Sequence, residues 1–303
     1  MNARASTPPA HIERVNLAID YIISHLGQRL RLEDVAHAAM LSPFHFHRVF
    51  QALMGETLAD FVKRLRLERA LFMMTHRRKP SLTRIALDCG FSSSSDFSRC
   101  FKQRYGTPPR DFDVKAWRDA HRLEIEATVP EATRLHLHRL PPASNPDGFK
   151  VVIRELPARN VAYIRVSNPY RRFDAVVKAI RRLEAWAESR GFADGQWLGY
   201  QWEKPEITAL ENCAYYTAVE AGRFTPRGEI GQYRFPPMTV AQVEMRGGVD
   251  LELRLFQWFY GVWLPRSRYV PDDLPGFEAF MGRPLAHGTE HYELHAQLPV
   301  RPA

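Results

Sequence analysis

Cysteine is scarce. Only Cys89, Cys100 and Cys213 occur in 303 residues, with no CxxC and no paired framework, which fits a reducing, cytoplasmic setting. The opening MNARASTPPAHIERV lacks the apolar core of a signal peptide, and no stretch nears the roughly 20 apolar residues that span a bilayer. Neither export nor a membrane partner is expected. There is no phosphate loop, no nucleophile elbow and no HExxH, so no catalytic residue and no cofactor is expected. His287, His291 and His295 are spaced by four, as metal ligands on a helix would be. However, HYELHAQLPV reads as a strand on which His291, Glu293 and His295 share a face, and no metal site is expected. His136 and His138 fall in a turn-rich stretch.

What is present is ordinary in amount and uneven in placement. Apolar residues make up 45% and charged residues 25%, as in a globular chain of about two domains. Residues 1–115 hold 18 Lys and Arg against 11 Asp and Glu, whereas the remainder holds 24 against 23. Nearly all of the +8 net charge thus lies on one third of the chain, which points to a polyanion-binding domain joined to one with another task.

From Ile12 to about Phe112 apolar residues recur at helical spacing, as in Val15, Leu17, Ile19, Ile22, Ile23 and Leu26. The stretch from Pro130 to Gly148, with PPASNPDG, has linker composition. Beyond Lys150 short β-rich runs such as VAYIRV and TVAQVEM surround two helical patterns near 171–190 and 249–263, an α+β arrangement. Two internal repeats stand out. LEDVAHAAMLS at 32–42 is echoed by LTRIALDCGFSS at 82–93, and FHRVF at 46–50 by FSRCF at 97–101. The offset is 50 before the turn and 51 after it, so the second copy has one extra turn residue. A strand, helix and strands unit over 151–221 recurs over 233–300.

Each copy of the first repeat reads as helix, tight turn and helix. Ser42 suits an N-cap with Pro43 at the first helical position, and Ser93 with Asp96 forms a capping-box pattern. Phe46, Val49, Phe50 and Leu53 make one buried stripe, and Phe97, Cys100 and Phe101 the other. This leaves Phe44, His45, His47 and Arg48 outward in the first copy, and Ser94, Ser95, Asp96, Ser98, Arg99 and Lys102 in the second. Arg, His and hydroxyls near a helix N-terminus suit base edges in the major groove of double-stranded DNA. Between the copies, Thr57 to about His76 has neither Gly nor Pro. Such a helix spans about 30 Å, close to the roughly 34 Å between successive major grooves on one face of DNA. Arg64, Arg66, Arg69, Arg77, Arg78 and Lys79 are expected to be free for phosphates.

The segments LSPFHFHRVFQALMGETLADFVKRLRLERA and LTRIALDCGFSSSSDFSRCFKQRYGTPPRDF resemble the AraC/XylS-type DNA-binding domain over about residues 10–115. The resemblance implies an all-α domain with helix-turn-helix units at about 32–53 and 82–105, followed by a linker at 116–149. It places base contacts at Phe44, His47 and Arg48, then at Ser94, Ser95, Ser98 and Arg99. Asp96 stands where many relatives carry an aromatic residue, and a four-serine run replaces longer polar side chains, so the second unit is expected to read bases less firmly.

Over 150–303 the aromatic residues cluster at Trp197, Tyr200 and Trp202, at Tyr215 and Tyr216, and from Phe256 to Trp263. Most are expected to fill a helix-on-sheet core. VAYIRVSNPY, WLGYQWEKPE, WFYGVWLPRS and PGFEAFMGRP are similar to GyrI-like effector-binding domains, an α+β fold of two strand-helix-strand repeats. That similarity implies an aromatic cleft in which Glu278, between Phe277 and Phe280, faces a small amphipathic or cationic ligand. A carboxylate in an apolar cleft is costly until a cation arrives, and Trp or Tyr adds cation–π attraction. Tyr170, Trp202 and Trp258 are the accompanying ligand contacts, and Tyr163 and Glu293 are weaker candidates. The chain as a whole reads as a ligand-modulated transcription regulator, by family analogy an activator, with RNA polymerase as a further partner. Two alternatives stand beside it: an enzyme acting on a small hydrophobic compound, or a C-terminal protein-interaction module.

Overall fold

A computed structural model describes residues 9–77, 81–134 and 144–303. The chain divides into two compact units, residues 1–114 with 225–232, and residues 115–224 with 233–303.

The first unit is helical: α1 (Pro9–Ser24), α2 (Leu32–Ala38), α3 (Pro43–Met54), α4 (Leu58–His76), α5 (Leu82–Asp88) and α6 (Ser94–Tyr105). The pairs α2–α3 and α5–α6 are the two copies read from the sequence, offset by 50 and then 51 residues. Each second helix ends on a left-handed glycine, Gly55 at φ 74° and Gly106 at φ 78°, the conformation glycine adopts without a Cβ penalty. Val15, Ile19 and Ile22 of α1, Val35 and Ala36 of α2, Phe46 and Phe50 of α3, and Phe61 of α4 form one core. The second copy repeats this with Phe97 and Phe101, whose rings meet edge to face at 5.5 Å.

The extra turn residue of the second copy follows Gly90. In the first copy Met40 holds φ 53° and is well exposed; in the second Gly90 holds φ 83°. Both turns close alike, Leu41 N donating to Ala36 O at 2.9 Å and Phe91 N to Ala86 O at 3.0 Å. Their surroundings differ. A Cβ on Gly90 would lie 2.7 Å from Leu26 O and 2.9 Å from the Arg66 guanidinium. That guanidinium is itself tied down, donating to Leu26 O at 3.0 Å and Gln28 O at 2.5 Å. Gly90→Ala is therefore expected to cost about 2 kcal/mol or more, while Met40→Gly stays within about 1 kcal/mol of neutral. Urea unfolding followed by far-ultraviolet circular dichroism checks this, and equal effects at both sites would contradict it.

The second unit begins with α7 (Val114–Glu126), where the sequence pattern suggested a linker. Trp117 Nε1 donates to Ile207 O at 3.0 Å, Arg118 pairs with Glu206 at 2.9 Å, and Gln257 Nε2 donates to Glu126 at 3.2 Å. After the short α8 (Glu131–Arg134) come β1 (Val152–Leu156), β2 (Arg159–Ser167), α9 (Phe173–Arg190), β3 (Trp197–Tyr200), β4 (Ala214–Glu220), β5 (Gly231–Phe235) and β6 (Met238–Gly247). α10 (Val249–Trp258) follows and runs through a π-helical turn at Phe259–Trp263 into α11 (Leu264–Arg266). Then come β7 (Tyr269–Pro271), β8 (Phe277–Phe280) and β9 (Tyr292–Pro302). His136 and His138, like Arg78 and Lys79, lie outside the described residues.

The strand order is β1-β6-β9-β8-β3-β4-β2-β5, with β7 beside β9. The halves β2-β4-β3 and β6-β9-β8 mirror each other across a β3–β8 seam, which is the tertiary form of the sequence repeat. The opening strand of each half, β1 or β5, pairs with the other half. One face gathers Tyr163, Tyr200, Tyr216, Phe235, Val240 and Phe277 into a single buried cluster. Strands distant in the order, β2 and β6, meet in it, so the sheet curls around that face. The opposite face carries α9 against β2 and β4, and α10 against β6.

Candidate nucleic-acid interface and ligand cleft

Ser42 caps α3, accepting from His45 N at 3.4 Å, with Pro43 at the first helical position. Burial of Phe46, Val49 and Phe50 turns the opposite stripe to solvent, where Phe44, His45, His47 and Arg48 are all exposed. Phe44 is 75% exposed, unusual for a large apolar side chain. The Arg48 guanidinium lies 5.9 Å from its ring centroid, and His45 meets the ring of His11 at 5.7 Å.

In α6, Ser93 accepts from Asp96 N at 3.1 Å. The carboxylate of Asp96 accepts from Ser92 Oγ at 3.1 Å and from Arg99 Nη2 at 2.7 Å. Burial would raise this carboxyl, but the hydrogen bonds from Ser92 and Arg99 outweigh it and hold it below the usual range. Ser95, Arg99 and Lys102 are exposed, and Ser94 and Ser98 half-buried. The two recognition helices thus differ: Arg48 leans on an apolar ring, Arg99 on an anion.

The arginines of α4 require a correction. Arg64 is buried, its Nη2 lying 2.6 Å from Glu56 and its Nη1 3.5 Å from Glu68. Arg66 is spent on the carbonyls of Leu26 and Gln28. Arg69 lies against Gly27, and Arg77 pairs with Asp88 at 2.9 Å. None of these four is the free phosphate contact expected of it. α4 is shared by both helix-turn-helix cores and is packed on most sides, so its cations point into protein.

In the second unit, Glu278 faces Gly199 directly across the β3–β8 seam. Tyr215 OH donates to Glu278 Oε2 at 2.6 Å. A Cβ on Gly199 would come within 2.0 Å of that hydroxyl and 2.4 Å of Glu278 Oε2, so the missing side chain is what makes room for the pair. Glu252 of α10 comes down onto the same point and hydrogen-bonds Glu278. Burial pushes both carboxyls up; Glu278 also drives Glu252 further, while hydrogen bonds from Tyr215 and Glu252 work against the rise at Glu278. Tyr170 and Tyr292 complete the surroundings: burial raises both phenols first, Cys213 and then these carboxylates raise Tyr170 further, and the carboxylates raise Tyr292. Tyr170 also exchanges hydrogen bonds with Gln201. Glu252, Glu278, Tyr170 and Tyr292 are half-buried: protein surrounds them and solvent still reaches them.

The five ligand residues expected from the sequence therefore separate. Glu278 and Tyr170 share this cluster. Tyr163 meets Tyr216 at 5.3 Å and Trp202 meets Phe235 at 5.8 Å, both in the aromatic cluster of the other face. Adjacent strand residues point to opposite faces, so Tyr215 and Tyr216 part company there. Trp258 is buried against Phe149 at 5.5 Å. Glu293 lies near Arg246, His287 and His291. Sequence reasoning missed Glu252 and Tyr292. A signal existed for Glu252, since it occupies the position that Phe256 and Phe259 continue at i+4 and i+7 along one helix face.

Among the described residues no helix is long and apolar enough to cross a membrane, and no His, Cys, Asp and Glu group could hold a metal ion. A helix-turn-helix domain model matches residues 35–124, and a GyrI-like small molecule binding domain model matches residues 149–301. The probable transcriptional regulator LumQ of Photobacterium leiognathi is 36% identical over 100 residues, 32% of this chain and 40% of its own length. The transcriptional activator RhaS of Mannheimia succiniciproducens is 30% identical over 102 residues, 34% of this chain and 38% of its own. The matched stretch thus spans about two fifths of these relatives. The C-terminal domain of EcmrR covers 52% of this chain and 99% of its own at 14% identity, with a TM-score of 0.41. The chain belongs to the GyrI-like small molecule binding domain family, and that domain here follows a segment matching a helix-turn-helix domain model.

Proposed function

We propose that this regulator reads promoter DNA through α3 and α6 and responds to a small amphipathic cation held at Glu278. The observation that carries the DNA half is the pair of capped helices with polar outer faces, on the part of the chain that holds the surplus charge. α4 is about 28 Å long, which suits recognition helices set in successive major grooves. Base contacts fall on Phe44, His45, His47 and Arg48, with Ser94, Ser95, Ser98, Arg99 and Lys102 in the second unit. The activator role of the relative RhaS favours activation, which makes RNA polymerase the natural further partner. Salt titration and mutation test this half together. Affinity falls steeply with salt through counterion release, and Arg48→Ala costs about 1–3 kcal/mol at the preferred site only. An equal loss on every sequence would make Arg48 a phosphate contact.

The ligand half rests on a half-buried carboxylate surrounded by Tyr215, Tyr170 and Tyr292, within the segment matched by a small molecule binding domain model. The groups that act on Glu278 most strongly are the phenol of Tyr215 and the carboxyl of Glu252, so a cation is the partner its charge selects. A change in promoter occupancy then requires different affinity in two states of the protein. The enzyme reading draws on the same cleft, because two carboxyls that share a proton are also an acid and a base. Product formed from a bound compound, and lost in Glu278→Gln, would decide for turnover.

A further inference from the structure

Two carboxyl groups in hydrogen-bond contact need a proton between them, since two carboxylates offer only acceptors. Glu252 and Glu278 make such a contact, and Glu278 Oε2 also accepts from the Tyr215 hydroxyl at 2.6 Å. Glu278 therefore receives two donors and Glu252 is the one that holds the proton. With the cleft empty the pair carries a single negative charge.

We propose that Glu252 is a second anionic anchor of the cleft, and that the site exchanges the proton shared by Glu252 and Glu278 for the cation of its ligand. This rests on the cation reading of Glu278. When a positive centre settles against the pair, it stabilises both carboxylates, and the proton leaves to solvent; no bond to carbon forms or breaks. The exchange is thermodynamically reciprocal, so acid opposes the ligand as strongly as the ligand expels the proton.

The groups facing the pair from each neighbouring element agree with this. Tyr215 on β4, Tyr170 in the turn before α9 and Tyr292 on β9 are phenols, all held neutral by burial first. Glu290 lies beyond Tyr292. On α10 itself, Asp250 and Arg254 are engaged with each other, Arg254 also holding Asp147 at 3.0 Å. Burial, then Glu278, raises Glu252 well above the usual carboxylate range. The empty cleft shows the same linkage in stability. The folded pair keeps a proton that unfolded carboxyls have released, so its contribution is fully present at low pH and is lost as pH rises through the folded pKa.

Benzyltrimethylammonium, an aromatic monocation, serves as the probe with the full-length chain. Titration calorimetry in buffers of different ionisation enthalpy reads the protons released per probe bound. The expected result is on the order of one proton in the wild type, and affinity rising with pH by up to about tenfold per pH unit below the folded pKa of the pair. Glu252→Gln keeps a donor to Glu278 and has no proton to lose, so it binds the probe with release near zero and a flat pH profile. Glu278→Gln loses binding at least tenfold. Probe binding by the wild type with no proton release would overturn the exchange and leave the cation site standing. An unchanged release in Glu252→Gln would likewise overturn it. Failure of the wild type to bind the probe at any pH would overturn the cation site as well.

Discussion

Replacing Arg64 with alanine is expected to remove about 3–5 kcal/mol from the stability of the first unit, the cost typical of leaving a buried charge without its partner. Arg64 is only 6% exposed and sits between Glu56 and Glu68, with its guanidinium 5.1 Å from the Phe61 ring centroid. Glu68 is nearly as deep, at 8% exposure. Their surroundings include Tyr105 of α6, whose phenol is raised by burial and then by Glu68. The pair therefore lies where the central helix meets the second recognition helix, and its loss should reach DNA binding as well as stability. A double change, Arg64→Met with Glu68→Leu, removes both charges and recovers much of the loss, because a buried ion pair is often replaceable by apolar side chains of similar volume. All six tryptophans lie at position 117 or beyond, so a circular dichroism transition without a change in tryptophan fluorescence reports the first unit. A loss under about 1 kcal/mol in Arg64→Ala would show that water solvates Glu68 in the variant and that the charge was never confined.

Gly199→Ala should do comparable damage to the second unit with one carbon atom. The added methyl would meet the Tyr215 hydroxyl at 2.0 Å and Glu278 at 2.4 Å, and Tyr215 has little room to retreat at 9% exposure. Overpacking of this kind costs about 1–3 kcal/mol. The larger effect is on the site: the 2.6 Å hydrogen bond cannot survive, and cation binding should fall at least tenfold, the scale of one lost charge-assisted contact. Removing the hydroxyl in advance relieves the tightest contact, so Gly199→Ala combined with Tyr215→Phe should lose less stability than the two changes summed. Unaltered stability and probe affinity in Gly199→Ala would mean that the seam opens freely, and that the glycine has no part in the cleft.

The recognition helices were legible residue by residue. Caps, turn and phenylalanine stripe act within a few positions of one another, so Ser42, Pro43, Phe46 and Phe50 announce both a helix and its outer face. The arginines of α4 were not legible. A run such as KRLRLER suits a solvated helix equally well, and only the packing of two cores around α4 turns Arg64 and Arg66 inward. The cleft was half legible for a related reason. Glu278 could be placed by resemblance, and Tyr170 with it, but strand parity separates Tyr215 from Tyr216. A register known only after folding sends Tyr163 and Trp202 to the other face.

Local order along the chain thus determined the helices, their caps, the duplicated units and the segregation of charge, because each depends on neighbours in sequence and on burial of one face. Tertiary structure alone decided which charges are available and which are confined. Whether an arginine meets solvent or a glutamate, and whether two carboxyls 26 positions apart share one proton, depends on which surfaces folding brings together and on the water it removes between them.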